Sequence, residues 1–290
     1  MTEETRDHVV PGTGEPHKGE EVKGYDFEGE FDLDEFIDAC RTTGFQATHL
    51  AEAVDIIRDM QEDDAKIFLT FTSNIISSGL RESIAYLARE DLVDVMITTS
   101  GSHSEDLIKT EHPFKMGEWD ADEKELREKG INRLGNIYAE SDGYVWLEKW
   151  LNNEFFPEFF DSEKVRSPTE VAKELGKEVD DDRSFLNHAA ENNIPVFCPA
   201  LIEAEKTGII CVGAGVPKHQ AIMSNLFRGG ADYAVYISTG MEGDGSLSGA
   251  PPKEAVSWGK IKENARNYTQ VEAEATLVWP LIVEAGFKDG

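Results

Sequence analysis

Short apolar runs alternate with helix-like segments along most of this 290-residue chain, and this alternation constrains the fold more than any other feature. Runs typical of buried strands occur at 66–71, 93–99, 194–201, 208–212, 231–238 and 276–283. Helical spacing of apolar residues occurs at 32–40, 46–60, 78–90, 216–228 and 252–264. Such alternation is typical of a parallel sheet covered by helices on both faces. We therefore predict an α/β fold: a single Rossmann-like domain with a central, mostly parallel sheet flanked by helices.

The domain is predicted to span residues 25–290. Residues 1–24 are polar and rich in Gly, Pro and Glu, which predicts a mobile N-terminal arm. The stretch 120–186 is charged and predicted to be mostly helical. Within it, the aromatic face of WLEKWLNNEFFPEFF is interpreted as core or subunit interface rather than as a ligand site.

The chain is strongly acidic, with 57 acidic and 28 basic residues and a formal net charge of −29. Such a field repels nucleic acids and anionic membranes and attracts polycations. The acidic residues are spread along the chain, which also favours a surface adapted to a salt-rich, halophilic cytoplasm. The two interpretations are compatible. The sequence contains neither a secretory signal nor an apolar stretch of membrane-spanning length, so we expect a cytoplasmic protein.

The three cysteines, Cys40, Cys198 and Cys211, are widely spaced and form no CxxC pair. This pattern predicts neither a disulfide framework nor a zinc site, and we expect no metal.

The segments that follow the predicted strands are the places to look for a ligand, because parallel sheets bind ligands beyond the carboxyl ends of their strands. Four such segments combine glycine with small hydroxyl residues: FTSNIISSG, TTSGSHSED, VGAGVPKH and STGMEGDGSLSGA. Gly213-Ala-Gly215 is a GxG turn between a strand and a helix, without the third glycine of the usual dinucleotide fingerprint. A tight turn alone would explain it, but several such loops at one sheet edge predict a nucleotide crevice.

Two side chains are candidates for catalysis. Lys260 follows Trp258 and Gly259, and a lysine desolvated by such neighbours can attack a carbonyl or an imine. The alternative is a solvent-facing lysine on a helix. His219 follows the glycine turn, where a neutral imidazole could move protons or could simply cap or pack the helix. His103 is expected to be exposed in its loop.

Carboxylates in or beside these loops could hold a cation by charge-assisted hydrogen bonds. They are Glu105, Asp106, Asp244 and Glu254. In so acidic a chain, each one could equally be solvated surface.

Seven segments resemble the deoxyhypusine synthase family, in the order in which that family has them, from about Gly24 to the C-terminus. They are FTSNIISSGLRE, VDVMITTSGSHSEDLIK, KGINRLGNI, NIPVFCPAL, VGAGVPKH, GGADYAVYIST and GAPPKEAVSWGKI. The resemblance implies NAD-dependent transfer of the aminobutyl group of spermidine, through an imine on an enzyme lysine, to a lysine of the translation factor 5A precursor. It also implies a homotetramer with active sites at subunit interfaces.

The resemblance assigns roles to individual positions. Lys260 matches the imine-forming lysine and His219 the catalytic histidine, while Trp258 and Glu254 match residues of the polyamine site. The positions that match the NAD site are Ser73, Asn74, Ser77, Thr99, Glu105, Gly213, Gly215, Thr239 and Ser248. Glu274 stands where an aspartate contacts the cofactor in the family, and we count it with this group.

The chain departs from the family pattern in two further places. Leu247 replaces an aspartate that binds polyamine in some relatives. After Pro199-Ala200-Leu201 the family continues with a DGS-containing segment that supplies acidic ligands and a helix, whereas this chain passes almost directly to the next strand. Two alternative functions therefore stay open. One is a homologous transferase that uses a small amine as acceptor, as in homospermidine synthesis, or agmatine as donor. The other is a shortened, inactive or regulatory subunit.

Overall fold

The computed structural model describes residues 17–159, 166–196, 206–226, 229–241, 248–257, 260–262 and 267–288. Its strands are β1 (Lys66–Phe71), β2 (Val95–Ile97), β3 (Lys115–Met116), β4 (Ile131–Leu134), β5 (Ile137–Glu140), β6 (Thr207–Val212), β7 (Tyr233–Ile237) and β8 (Asn267–Val271). The main sheet has the order β2-β1-β6-β7-β8, and every pair in it is parallel. The predicted α/β fold with a central, mostly parallel sheet is confirmed.

The main sheet is buried on both faces, which explains why its strands are apolar runs rather than alternating patterns. All six residues of β6 are buried. One face contributes Leu69, Ile210 and Val235 to the larger core cluster. The other contributes Phe68 and Tyr236 to a smaller one. Because neighbouring residues of a strand point to opposite faces, a strand buried on both sides must be apolar throughout.

Helices cover both faces. The first group comprises α1 (Leu33–Thr43), α2 (Gln46–Glu62), α3 (Ser73–Ser77), α4 (Arg81–Arg89), α5 (Ser100–Glu111), α6 (Glu123–Glu128) and α7 (Ser141–Trp150). The second comprises α8 (Phe156–Phe159), α9 (Pro168–Lys177), α10 (Phe185–Glu191), α11 (Val216–Leu226), α12 (Pro252–Ser257) and α13 (Ala275–Phe287). A π-helical turn, Leu151–Phe155, joins α7 to α8. Helix α11 packs on β1, β2 and β6, and α12 packs on β7 and β8.

The prediction of a strand at 276–283 is wrong, because these residues lie within α13. Glu274 caps this helix by accepting a hydrogen bond from the Thr276 amide at 2.9 Å. Much of the helix, including Trp279 and Ile282, is fully buried. A helix that is apolar on most sides shows little periodicity, so a short apolar run does not distinguish it from a buried strand.

Other boundaries also differ from the predictions. The SGSHSED segment, predicted as a loop, forms the first two turns of α5. The predicted helix 252–264 ends at Ser257, and Ile261 instead forms a parallel bridge with Ala231 beside the sheet. Strand β8 was not predicted at all. Its sequence, NYTQV, mixes polar and apolar residues and is only partly buried, so it lacks the apolar run that marks the other strands.

A small antiparallel sheet has the order β3-β5-β4, and two of its strands, β4 and β5, lie in the stretch 120–186 that was predicted to be mostly helical. Just after it, the aromatic residues of α7 and the π-helical turn stack on one another, with Trp150 and Phe155 at 5.5 Å between ring centroids. Phe155 is buried in the larger core cluster, as the interpretation of the aromatic face as core requires. Cys211 is buried, and Cys198 lies outside the described residues.

The described residues include no helix that is both long and apolar enough to cross a bilayer.

Candidate functional site

The carboxyl ends of four parallel strands meet at one edge of the sheet. Their registers align Phe71 of β1 with Val212 of β6, Val212 with Ile237 of β7, and Ile237 with Val271 of β8. The residues that follow these four positions must therefore leave the sheet side by side. This edge is where a parallel sheet binds its ligands.

A cleft of about 320 Å³ opens at this edge. Its wall includes five of the residues that the resemblance assigns to the cofactor: Asn74, Gly213, Thr239, Ser248 and Glu274. It also includes Thr72, Ser238 and Gly240, which sequence reasoning did not single out although they lie in the segments it marked. The structure thus collects residues that are 200 positions apart in the chain into one cleft.

The glycine turn after β6 shapes the floor of the cleft. Gly213 and Gly215 have φ of 88° and 79°, in the left-handed region that glycine adopts without strain. A Cβ atom on Gly213 would lie only 3.0 Å from the Thr72 hydroxyl oxygen. Because α11 begins directly after the turn, its N-terminus lies at the same edge. Such an arrangement suits a phosphate group.

Polar groups ring the rest of the cleft. The Ser238 hydroxyl accepts a hydrogen bond from the Gly240 amide at 2.9 Å, which fixes the loop after β7. Glu274 is exposed at the rim. A carboxylate in a dinucleotide cleft can accept hydrogen bonds from ribose hydroxyls, and it disfavours a phosphate at the same place. The residues present therefore fit a dinucleotide, for which the glycine turn would offer backbone amides and Glu274 a hydrogen-bond acceptor.

The remaining predicted cofactor residues form a second group, between α3 and α5. The Ser77 hydroxyl donates a hydrogen bond to the carboxylate of buried Glu105. Burial raises the pKa of Glu105, and the hydrogen bond from Ser77 opposes that rise. Ser73 packs against Gly101, where an added Cβ would approach its side chain to 3.0 Å. The Thr99 hydroxyl oxygen is buried and has no hydrogen-bond partner among the described residues, so a ligand group could serve as one.

His103 differs from its prediction. It lies in α5 rather than in a loop, and only 9% of it is exposed. Burial lowers its pKa to about 4, so its imidazole is neutral at neutral pH. A histidine that stays neutral inside a helix packed on the core has the properties of a structural residue.

His219 lies in the first turn of α11, and its amide donates to the Gly215 carbonyl oxygen at 3.1 Å. It is half-buried at the same edge of the sheet as the glycine turn. The structure therefore places His219 close to the cleft in the fold, although it is not among the residues of the cleft wall.

Lys260 lies at the opposite edge of the sheet. Its carbonyl oxygen accepts a hydrogen bond from the Ala231 amide at 3.1 Å, and Ala231 precedes the first residue of β7. The cleft residues Ser238 and Thr239 follow the last residue of β7. Seven residues of extended chain span roughly 20 Å, which separates the Lys260 backbone from the cleft of the same chain.

The structure does not describe the side chains of the two predicted polyamine-site residues. Trp258 lies outside the described residues, and the side chain of Glu254 is likewise not described although its backbone belongs to α12. No cluster of His, Cys, Asp and Glu suited to a metal ion occurs among the described residues.

Comparison with known proteins gives a consistent result. The family model for deoxyhypusine synthase matches residues 35–204 and 201–286. A protein of Halobacterium salinarum named "Probable deoxyhypusine synthase" is 60% identical, over 99% of this chain and 98% of its own length. A protein of the same name from Pyrococcus abyssi is 41% identical, over 92% of this chain and 96% of its own.

A solved structure also resembles this chain. The crystal structure titled as a "putative deoxyhypusine synthase" from Entamoeba histolytica superposes with a TM-score of 0.59 at 26% identity, and covers 92% of this chain and 96% of its own.

The comparisons also bear on the shortened join after Leu201. The alignment with the Halobacterium protein spans 324 positions, whereas 99% of this 290-residue chain is only about 287 residues. About 37 aligned positions thus have no counterpart here. The family match is itself interrupted at residues 201–204, the place where the sequence predicted the missing segment.

Proposed function

Because the chain belongs to the deoxyhypusine synthase family, we propose that it is a transferase that moves the 4-aminobutyl group of spermidine onto a lysine of the translation factor 5A precursor, with NAD as cofactor. The observation that carries the proposal is the cleft at the carboxyl edge, where five predicted cofactor residues share one wall. A glycine turn, a helix N-terminus and a rim carboxylate are the parts that a dinucleotide requires.

NAD supplies the redox chemistry in this proposal, accepting a hydride from spermidine and returning it at the end. The protein supplies the nucleophile and the proton transfers. The Lys260 amine attacks the oxidised substrate, displaces diaminopropane and carries the aminobutyl group as an imine until the acceptor lysine takes it. His219, in the first turn of α11, exchanges protons with the reacting amines.

The distance between Lys260 and the cleft of its own chain supports an assembled enzyme. The seven residues of extended chain between Ala231 and Ser238 span roughly 20 Å, which exceeds the reach of a lysine side chain. We therefore propose that Lys260 of one copy completes the cleft of another, within the homotetramer that the family resemblance implies. Trp258 and Glu254, which both precede Lys260 in sequence, would then line the polyamine site at the same interface.

The net charge of the chain is consistent with the proposed donor and acceptor, which are both cationic. A net charge of −29 favours encounter with a polycation such as spermidine and with a basic protein surface. We propose that the reaction takes place in a salt-rich cytoplasm, where screening reduces repulsion between carboxylates.

A second candidate function is a regulatory subunit without catalysis of its own. The observation that favours it is the absence of about 37 aligned positions relative to the Halobacterium protein. If that segment is part of the substrate pocket, this chain would bind the cofactor and assemble with a full-length copy without completing transfer.

Trapping the imine separates the two candidates. The protein is incubated with NAD and spermidine in high salt, reduced with borohydride and analysed by intact mass and peptide mapping. We expect an aminobutyl adduct on Lys260 that disappears completely in Lys260→Ala. Lys253→Ala, which removes an exposed lysine of α12, should leave the adduct unchanged.

The other outcomes are equally informative. A wild-type protein that binds NAD but forms no adduct would favour the regulatory subunit. An adduct that persists in Lys260→Ala, or a protein that does not bind NAD at all, would contradict the proposed chemistry.

A further inference from the structure

Lys218 is a buried cation next to the cleft. It lies in the first turn of α11, three residues after Gly215, and only 3% of it is exposed. Its Nζ donates hydrogen bonds to two carbonyl oxygens, that of Ala250 at 2.7 Å and that of Ser248 at 3.2 Å. The same Nζ lies 4.6 Å from the centre of the Tyr236 ring.

Burying an ammonium group is costly unless strong interactions compensate for the lost water. Here two carbonyl oxygens and an aromatic face supply that compensation. Both carbonyl oxygens belong to one short backbone segment, residues 248–250, so the hydrogen bonds of Lys218 fix the position of that segment.

Residues 248–250, which we term the anchor loop, border the cleft directly. Ser248 belongs to the cleft wall. The anchor loop also lies against Gly240, where an added Cβ would be 2.9 Å from the Ser248 carbonyl oxygen. That oxygen therefore contacts both the Lys218 ammonium and the bare backbone of Gly240, which is also a wall residue.

The anchor loop has a second neighbour of importance. Two residues beyond Ala250 the chain enters α12 at Pro252. The end of that helix fixes Lys260, whose amide donates to the Ala255 carbonyl oxygen at 2.9 Å. A displacement of the anchor loop would therefore affect both the cofactor cleft and the segment that leads to Lys260.

We propose that Lys218 is a positioning residue for the cofactor: by holding the anchor loop against Gly240, it preforms the wall of the dinucleotide cleft. The inference rests on the proposed function, since it takes NAD as the ligand of the cleft. Lys218 does not touch the reacting atoms, and its effect reaches the ligand through Ser248.

The test compares Lys218→Met with a control that weakens the same helix elsewhere. Lys218→Met keeps the length of the side chain and removes its charge and donors. The control is Thr207→Val, which removes the 2.7 Å hydrogen bond between the Thr207 hydroxyl and Asn225 at the far end of α11. Dissociation constants for NAD are measured by titration calorimetry, melting temperatures by calorimetry, and hydrogen exchange by mass spectrometry.

Lys218→Met is expected to raise the dissociation constant for NAD about tenfold and to accelerate hydrogen exchange in residues 248–257. Thr207→Val should lower the melting temperature but leave the NAD dissociation constant within twofold of wild type. A Lys218→Met protein that binds NAD as tightly as wild type would overturn the inference, because the lysine would then have a purely structural role.

A second variant keeps the inference testable if Lys218→Met does not fold. Gly240→Ala places a methyl group against the Ser248 carbonyl oxygen without removing the lysine, and should also weaken NAD binding about tenfold. Unchanged binding in Gly240→Ala would show that the loop does not shape the cleft. Failure of the wild-type protein to bind NAD would instead overturn the proposed function.

Discussion

Glu105 and Asp106 follow one another on α5 and are both buried, but their surroundings differ. Asp106 is fully enclosed and accepts hydrogen bonds from Arg81 Nε at 2.6 Å and from the Ser184 hydroxyl at 2.6 Å. Glu105 points to the other side of the helix, where it accepts a hydrogen bond from the Ser77 hydroxyl within the predicted cofactor group. The Asp106 carboxylate therefore links α5 to α4 and to the start of α10, whereas the Glu105 carboxylate links α5 to α3, whose Asn74 lines the cleft.

The two carboxyl groups also differ in the interactions that oppose the effect of burial on their pKa. Burial raises the pKa of both carboxyl groups. For Asp106 the charge of Arg81 and three hydrogen bonds oppose the rise, so its immediate neighbours compensate for the burial of its charge. For Glu105 the opposing effects are a neutral hydroxyl and the charge of Lys109. Because its local compensation is weaker, the Glu105 carboxylate is the better candidate of the two for binding a ligand.

The largest expected effect is on the Asp106 side of the comparison. Arg81→Met removes the partner of a buried charge and should reduce the free energy of unfolding by about 3–5 kcal/mol. Chemical denaturation in high salt measures it. The double variant Arg81→Met, Asp106→Leu should recover much of the loss, because no unpaired charge is left. A loss below about 1 kcal/mol in the single variant would show that the pair contributes little.

A smaller effect is expected from His103, one turn earlier on α5. Burial lowers its pKa from 6.5 to about 4, so the folded protein favours the neutral form. This contribution to the free energy of unfolding is complete above pH 6.5 and is lost as the pH falls towards 4. The expected loss is about 3 kcal/mol, because each pKa unit corresponds to about 1.36 kcal/mol.

Denaturation curves at a series of pH values check this contribution. The free energy of unfolding of His103→Gln should fall less steeply than that of wild type between pH 6.5 and 4. Parallel pH profiles for the two proteins would mean that His103 is not buried as the structure has it.

The smallest expected effect is on the Glu105 side. Glu105→Gln should weaken NAD binding about tenfold, or about 1.4 kcal/mol, because a carboxylate accepts stronger hydrogen bonds than an amide. Its stability at neutral pH should not fall, since a carboxyl group whose pKa is raised by folding costs stability above that pKa.

The matched control for Glu105→Gln is Asp106→Asn, which should lower the melting temperature and leave the NAD dissociation constant within a few fold. If the two variants exchanged these effects, the distinction between the two carboxylates would be wrong.

Much of the sheet could be predicted because its residues carry local signals. Strand β1 has the predicted bounds, 66–71, and the strands around 208–212 and 231–238 agree to within about two residues. An apolar run between turn residues specifies a strand that is buried on both faces. The same signal failed at 276–283, where a helix buried on most sides produces the same composition.

The site was predictable in part for a similar reason. Glycines and small hydroxyl residues after strands mark a ligand-binding edge, and six such residues of the marked segments line the cleft: Thr72, Gly213, Ser238, Thr239, Gly240 and Ser248. The α5 segment was misjudged as a loop because Ser, Gly and His have modest helix propensity, and tertiary packing against α3 overrides it. Lys218 gave no signal of its own, because a lysine in a helix is normally at the surface.

Residue order and local composition were sufficient to predict the fold class, three of the four strands that end at the cleft, the glycine turn and the family. It became evident only in the folded chain that Glu105 and Asp106 have different partners, that the Lys218 ammonium is enclosed, and that Lys260 lies at the opposite end of β7 from the cleft. Those facts depend on the direction in which parallel strands run and on how helices pack across them, and both arise from contacts between residues far apart in the chain.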